Sequence, residues 1–160
     1  MFTGEVVTIH VAPKEGASMQ SLDAVRAIAG EGLEGDRYHD GRGTYSEREG
    51  PGRQVTLIEA EALEAIEREQ GITLAPGESR RNVTTRGVPL NHLVGREFTV
   101  GDVRLRGIKL CEPCGHLQRT LGIDRLVQAL AHRAGLNAEV LTDGEIRIGD
   151  KVVPIETGER

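Results

Sequence analysis

Short β-branched stretches separated by glycine-containing turns constrain the fold of this chain more than any other feature. Residues 5–12 are rich in β-branched side chains, which predicts an opening strand. Residues 97–110 form two such stretches around a Gly-Asp turn, and residues 141–146 carry Asp-Gly at their centre. Both patterns predict hairpins, and residues 148–152 repeat the Gly-Asp turn. The second half of the chain is therefore expected to consist mainly of short strands.

Three short segments have helical periodicity. Ser21 is placed to cap a helix over residues 22–29, and Asp124 to cap one over residues 125–134. The clearest pattern covers residues 59–70, where apolar residues recur on one face. No regular alternation of strand and helix appears. We therefore predict a mainly β fold, a partly closed barrel decorated by about three short helices, with an open α+β sheet as the alternative.

Composition limits the classes of function. A chain of 160 residues fits a single domain spanning residues 1–160. The net charge of -5 argues against nucleic acid as a partner, because no basic surface dominates. The first residues lack the pattern of a signal peptide, and no apolar run approaches membrane-spanning length. We therefore expect a cytoplasmic protein with no membrane partner.

Both cysteines of the chain lie in one motif, Cys111-Glu112-Pro113-Cys114. In a reducing compartment such a pair is expected to be catalytic, redox-active or metal-binding, and not a structural disulfide. A zinc site would require four ligands, and His116 supplies only a third nearby. A thiol redox pair and two inert, buried thiols are the other interpretations.

A dense set of hydrogen-bond donors precedes this motif. Arg80, Arg81, Asn82, Thr84 and Thr85 lie within six positions. Guanidinium groups bind phosphate in a bidentate manner, and amide and hydroxyl groups complete an anion site. The segment is therefore a candidate for anion binding, and the alternative is a solvated, charged strand.

A second polar group lies upstream. Asp36 is placed to orient Arg37, and His39 is a residue type that titrates near neutrality. Taken alone, this group is better explained as a turn with a surface ion pair. The glycine-rich residues 39–53 that follow predict a loop over a site.

In their order along the chain, these segments resemble a stand-alone MOSC domain, the family named for the C-terminal domain of molybdenum cofactor sulfurases. The resemblance covers roughly residues 5–155. It rests on residues 32–37, 54–58, 81–90, 93–101, 111–114 and 144–150.

The resemblance implies a barrel-like fold and binding of the molybdenum cofactor. It places the thiolate that ligates molybdenum, or carries sulfur, at Cys114 after Pro113, with Cys111 as a less general second candidate. It implies that His39 or His116 handles protons. It maps the Arg81-Asn82 pair to the pterin phosphate or to the oxo groups of the metal, and Arg37, Arg80, Thr84 and Thr85 complete the predicted cofactor-binding set.

The resemblance also bears on cofactors and partners. Pyridoxal phosphate is not expected, because the sulfurase domain that binds it in larger relatives is missing from this sequence. Reduction of N-hydroxylated bases or similar small molecules would require a separate electron-donor protein, since the chain has no flavin, haem or iron–sulfur signature. The alternatives are a non-catalytic carrier of sulfur or cofactor, served by a sulfur-donor protein, and a thiol redox or zinc protein.

Overall fold

The computed structural model describes residues 1–14, 16–37, 54–113 and 115–156. The loop predicted over residues 39–53 lies outside these ranges. The described residues form eleven strands and three α-helices, with a 3₁₀ turn at Leu90–Leu93. The strands are β1 (Gly4–Val11), β2 (Gln20–Leu22), β3 (Ala24–Ile28), β4 (Gly32–Leu33), β5 (Val55–Glu59), β6 (Val83–Arg86), β7 (Glu97–Val100), β8 (Val103–Leu110), β9 (Leu136–Val140), β10 (Gly144–Arg147) and β11 (Lys151–Pro154). The helices are α1 (Ala60–Gln70), α2 (Gly115–Leu121) and α3 (Leu126–Leu130).

Seven of the strands close into a barrel. They pair in the order β11-β7-β8-β9-β5-β6-β1, and a second pairing between β1 and β11 completes the ring. β5 and β6 pair in parallel, with Leu57 opposite Val83. β2 extends the sheet beyond β1, whereas β10, β3 and β4 form a separate three-stranded sheet. The predicted mainly β fold with a barrel and three helices is confirmed, and the barrel is fully closed.

Strand alternation gives the barrel an apolar interior and turns some polar side chains, such as Thr56 and Asn137, outward. In β5, Leu57 belongs to the buried core cluster, so the neighbouring Thr56 faces outward. In β9, Leu136 and Ala138 belong to the same cluster, so Asn137 between them faces outward. We call this side of β5, β6, β8 and β9 the outer face.

A second apolar cluster packs the three helices together. Ile66 of α1 belongs to the same buried cluster as Leu117 of α2 and Leu126 and Leu130 of α3. α1 ends where the sequence predicted, because Gly71 adopts the left-handed conformation and its N–H bonds back to the helix. Among the described residues, no helix is both long and apolar enough to cross a membrane.

Two predicted elements are wrong. Residues 22–29 are not helical but form the end of β2 and strand β3, in which Val25 and Ala27 alternate inward. The recurrence of apolar residues at every third position was therefore misleading. Residues 141–146 do not form a hairpin, because both edges of β9 are already paired with β5 and β8. β10 instead leaves the barrel and pairs with β3.

The third helix is also shorter than predicted. α3 covers only Leu126–Leu130, after Arg125 in a left-handed conformation, and Asp124 makes no capping bond. α2 was not predicted, although it begins directly after the cysteine motif.

Candidate functional site

A buried polar network ties the start of β6 to β1, β5 and the turn after β4. The Asn82 amide nitrogen donates to the His10 carbonyl oxygen and to Asp36 Oδ1, both at 3.1 Å. Its Oδ1 accepts from the N–H and the hydroxyl of Thr56 at 3.0 and 3.2 Å. All four hydrogen-bonding positions of the Asn82 amide are thus used within the protein. Asn82 therefore has a structural role, since it connects β1, β5 and the turn after β4. Its predicted contact with a cofactor stays a prediction.

Asp36 is the charged centre of this network and is fully buried. Its Oδ1 also accepts from the Ala12 N–H at 3.1 Å and from Arg37 Nη1 at 3.2 Å. The ion pair between Asp36 and Arg37 was expected at the surface, but both side chains are buried. Burying two charges is tolerated when they are paired and hydrogen-bonded, as they are here.

Arg37 and Arg80 position the segment that leads into β6. Arg37 Nη2 donates to the Arg80 carbonyl oxygen at 3.2 Å. The Arg80 guanidinium donates to the Ala17 carbonyl oxygen, and Arg80 itself has a left-handed backbone with φ of 63°. That conformation is unfavourable for a residue with a side chain, so the surrounding contacts must hold it. Both arginines therefore shape the segment that presents Arg81.

Arg81 brings the anion-binding candidate and the cysteine motif together. Its Nε donates to the Ala134 carbonyl oxygen at 2.8 Å, and its Nη2 donates to the Cys111 carbonyl oxygen at 3.2 Å. A third, longer bond of 3.4 Å joins Nη1 to the Ser79 carbonyl oxygen. A guanidinium has five N–H groups, so two have no partner among the described residues. The sequence separates Arg81 from Cys111 by 30 residues, and the fold places them in contact.

The described part of the cysteine motif continues the ladder between β8 and β9. The Cys111 N–H donates to the Gly135 carbonyl oxygen at 2.8 Å, and the Cys111 side chain is half-buried. Cys114 and His39 lie outside the described residues, and of His116 only its place in α2 is described. No group of three or more His, Cys, Asp or Glu in the described ranges could hold a metal ion. The predicted roles of Cys114, His39 and His116 therefore stay predictions.

Thr84 and Thr85 continue into β6 and lie further from the motif. Both are buried, and the Thr85 hydroxyl donates to the Ile58 carbonyl oxygen at 3.5 Å. Thr84 pairs across the strands with Thr8 and Ile58. Of the predicted cofactor-binding residues, only Arg81 makes a described contact with the cysteine motif.

A carboxylate–histidine pair that the sequence did not indicate lies beside the motif. Glu112 accepts from the His132 backbone N–H at 2.7 Å, and its other oxygen lies 2.8 Å from His132 Nδ1. Burial raises the pKa of Glu112, but the two bonds from His132 outweigh it and leave that pKa below its ordinary value. His132 has a left-handed backbone, and its carbonyl oxygen accepts from Asn91. The pair links the motif to the end of α3.

His10 is a second group that the sequence analysis did not single out. The residue is 2% exposed and its ring packs against Gly77, where an added Cβ would lie 2.8 Å from His10 Cδ2. Burial lowers the pKa of His10, because the charged form loses its hydration. Its position between the apolar residues Ile9 and Val11 was the available signal.

We expect the protein to lose stability as the pH falls through the range in which His10 is protonated in the unfolded chain, below about 6.5. The folded state has the lower pKa for His10, so the unfolded state takes up the proton first. The slope for one such group is at most about 1.4 kcal/mol per pH unit. Urea unfolding of the wild type and His10→Gln between pH 7.5 and 5.5 measures this difference. Parallel pH profiles for the two proteins would contradict the assignment.

Comparison with known proteins gives the family. The model of the MOSC domain matches residues 44–153, which is more than half of the chain. The chain belongs to the MOSC domain family. The matched segment includes Arg81, both cysteines of the motif, the strands β5 to β10 and most of β11.

Solved structures share the fold of this MOSC protein at low sequence identity. YuaD from Bacillus subtilis has a TM-score of 0.75 and 18% identity, over 95% of this chain and 97% of that one. YiiM from Geobacillus stearothermophilus has a TM-score of 0.74 and 18% identity, over 97% and 76%. YiiM from Escherichia coli has a TM-score of 0.70 and 18% identity, over 98% and 72%. No curated protein sequence matches the chain.

Proposed function

We propose that this MOSC protein binds the molybdenum cofactor and reduces N-hydroxylated bases or similar small molecules with electrons from a separate donor protein. The observation that carries the proposal is the hydrogen bond from Arg81 to the Cys111 carbonyl oxygen. It joins an anion-binding guanidinium to the segment that bears the candidate metal ligand Cys114. The same proposal includes a cytoplasmic location.

The described donors fit a phosphate-bearing, metal-containing cofactor. Arg81 retains two N–H groups without a partner among the described residues, and guanidinium N–H groups bind phosphate oxygens well. Cysteine thiolate is a soft ligand suited to transition metals. The charge of Asp36 is balanced by Arg37, so that carboxylate does not oppose an anion nearby.

Each residue has a distinct part in this proposal. Arg81 would bind the phosphate. Its two chain neighbours fix the position of its backbone, because Asn82 bonds to His10 of β1 and Arg80 accepts a bond from Arg37. Cys114 would supply the thiolate that ligates molybdenum. The bound cofactor supplies the two-electron redox chemistry, and His39 or His116 would move protons to or from the substrate.

Metal analysis tests the proposal. We expect the protein purified from a host that makes the cofactor to contain molybdenum near one atom per chain, and Cys114→Ala to lose most of it. Cys111→Ala is the matched control, and it should keep the metal because Arg81 contacts only the Cys111 backbone oxygen. Molybdenum in Cys114→Ala at the wild-type level would reject the ligand, and wild-type protein without molybdenum would reject the cofactor.

A further inference from the structure

Glu112 and His132 place an oriented imidazole against the cysteine motif. Glu112 lies between the two cysteines in the sequence, and His132 lies in the turn between α3 and β9. One carboxylate oxygen of Glu112 accepts from the His132 backbone N–H at 2.7 Å, and the other lies 2.8 Å from His132 Nδ1. The carboxylate thus holds both the backbone and the ring of the histidine.

The bond to Glu112 decides which ring nitrogen of His132 is free. An ionised carboxylate only accepts hydrogen bonds, so Nδ1 carries a proton and Nε2 is left without a partner among the described residues. Arg133, the next residue, does not compete for Glu112, because its guanidinium donates to the Ala129 carbonyl oxygen and to Glu69, both at 2.8 Å. Nε2 is therefore the ring position at which a proton can be given up and taken back.

The backbone of His132 is held in an unfavourable conformation. Its φ of 63° is left-handed, which residues with a side chain rarely adopt. The Glu112 carboxylate holds its N–H, and the Asn91 amide donates to its carbonyl oxygen at 2.7 Å. Packing of the ring cannot be the reason for this geometry, because the side chain is 83% exposed. Backbone outliers that their surroundings hold in place are concentrated at functional sites.

The turn that carries His132 also carries the other contacts of the candidate site. The Ala134 carbonyl oxygen accepts from Arg81 at 2.8 Å, and the Gly135 carbonyl oxygen accepts from the Cys111 N–H at 2.8 Å. Arg81 in turn donates to the Cys111 carbonyl oxygen. One short turn therefore brings the histidine, the anion-binding arginine and the cysteine motif to the same place.

We propose that His132, oriented by Glu112, donates a proton to the substrate of this site from Nε2. The inference rests on the proposed function for the class of substrate. Reduction of an N-hydroxylated base R–NH–OH takes up two electrons and two protons, breaks the N–O bond and gives R–NH₂ and water. The separate donor protein is the source of the electrons.

His132 would give its proton to the departing oxygen, which leaves as water. The second proton goes to the nitrogen, and His39 or His116 would supply it. The exposed ring of His132 then takes a proton back from solvent. Glu112 is a positioning residue in this scheme, because it keeps the other proton on Nδ1 and directs Nε2 outward.

Nitrogen NMR of the cofactor-free full chain tests the orientation of the ring. We expect the neutral His132 ring to be protonated at Nδ1 in the wild type, and Glu112→Ala to lose that preference because the acceptor is gone. His92 is the internal reference, and its signals should be the same in both proteins. A wild-type ring protonated at Nε2 would overturn the inference, since Nδ1 could then not donate to Glu112.

Turnover of the molybdenum-loaded protein tests the proton transfer, with an N-hydroxylated purine as substrate and a reduced viologen in place of the donor protein. We expect His132→Gln to lower kcat at least about 100-fold. It should keep the molybdenum content of the wild type, because the backbone bond to Glu112 and the contacts of Arg81 do not involve the ring. His92→Gln is the matched control, and it should keep the kcat of the wild type.

Two results with loaded wild-type protein would overturn the inference. In one, His132→Gln turns over as fast as His92→Gln. In the other, His132→Gln loses its molybdenum together with its activity, which would make the role of the ring structural. A wild type without molybdenum would reject the proposed function itself, and this inference with it, and metal analysis distinguishes that failure from the other two.

Discussion

Asn82→Ala is expected to lower the free energy of unfolding by about 3–5 kcal/mol, a large share of the stability of a domain of this size. The substitution removes all four hydrogen bonds of a fully buried amide. It leaves the Thr56 N–H unpaired at its old position and takes a donor from the buried carboxylate of Asp36. Removing one partner from a buried charged group costs far more than an average hydrogen bond contributes.

Urea unfolding measures this effect, with Asn91→Ala as the matched control. Asn91 is exposed and donates a single bond to the His132 carbonyl oxygen, so its loss should cost less than about 1 kcal/mol. Asn82→Asp sharpens the test, because it keeps the size of the side chain but sets a second carboxylate against Asp36. A stability of Asn82→Ala within error of Asn91→Ala would show that the network does not stabilise the fold.

The sequence predicted the elements whose signals are local. β1, β7 and β8 follow alternation of apolar and polar side chains, and α1 follows helical periodicity that ends at Gly71. The closure of the barrel depends on β1 pairing with β11, in which Gly4 lies opposite Val152, and no local pattern encodes a contact over that separation. The same long range explains why the predicted hairpin at residues 141–146 failed. Its strands have better partners elsewhere in the fold.

The candidate site could be predicted only in part, because the contacts that assemble it also join residues far apart in the chain. The residue types in the segment before β6 and in the cysteine motif pointed to anion binding and metal binding, and Arg81 joins the two segments. The sequence did not indicate that Asn82 is saturated by contacts from β1, β5 and the turn after β4. Burial decides between a ligand contact and a structural clamp, and burial is a property of the fold.

Arg81→Lys is expected to reduce retention of the molybdenum cofactor at least tenfold and to lower the free energy of unfolding by about 1–2 kcal/mol. Lysine keeps the positive charge but has no planar fork. Its ammonium group cannot reach the Ala134 and Cys111 carbonyl oxygens together and still present two N–H groups to a phosphate. If Arg81→Lys binds the cofactor more weakly, the cause is therefore the lost geometry of the guanidinium, because the charge is unchanged.

Molybdenum and pterin content per chain, measured beside urea unfolding, separates the two effects. Arg86→Lys is the matched control from the same segment, because Arg86 is exposed and pairs with Glu64 on the surface. It should retain the cofactor as the wild type does. If Arg81→Lys retains as much cofactor as Arg86→Lys but is less stable, Arg81 only ties the cysteine motif to β6, and the phosphate must bind elsewhere. Loss of cofactor in Arg81→Lys under conditions where the variant is folded would place the anion at its guanidinium.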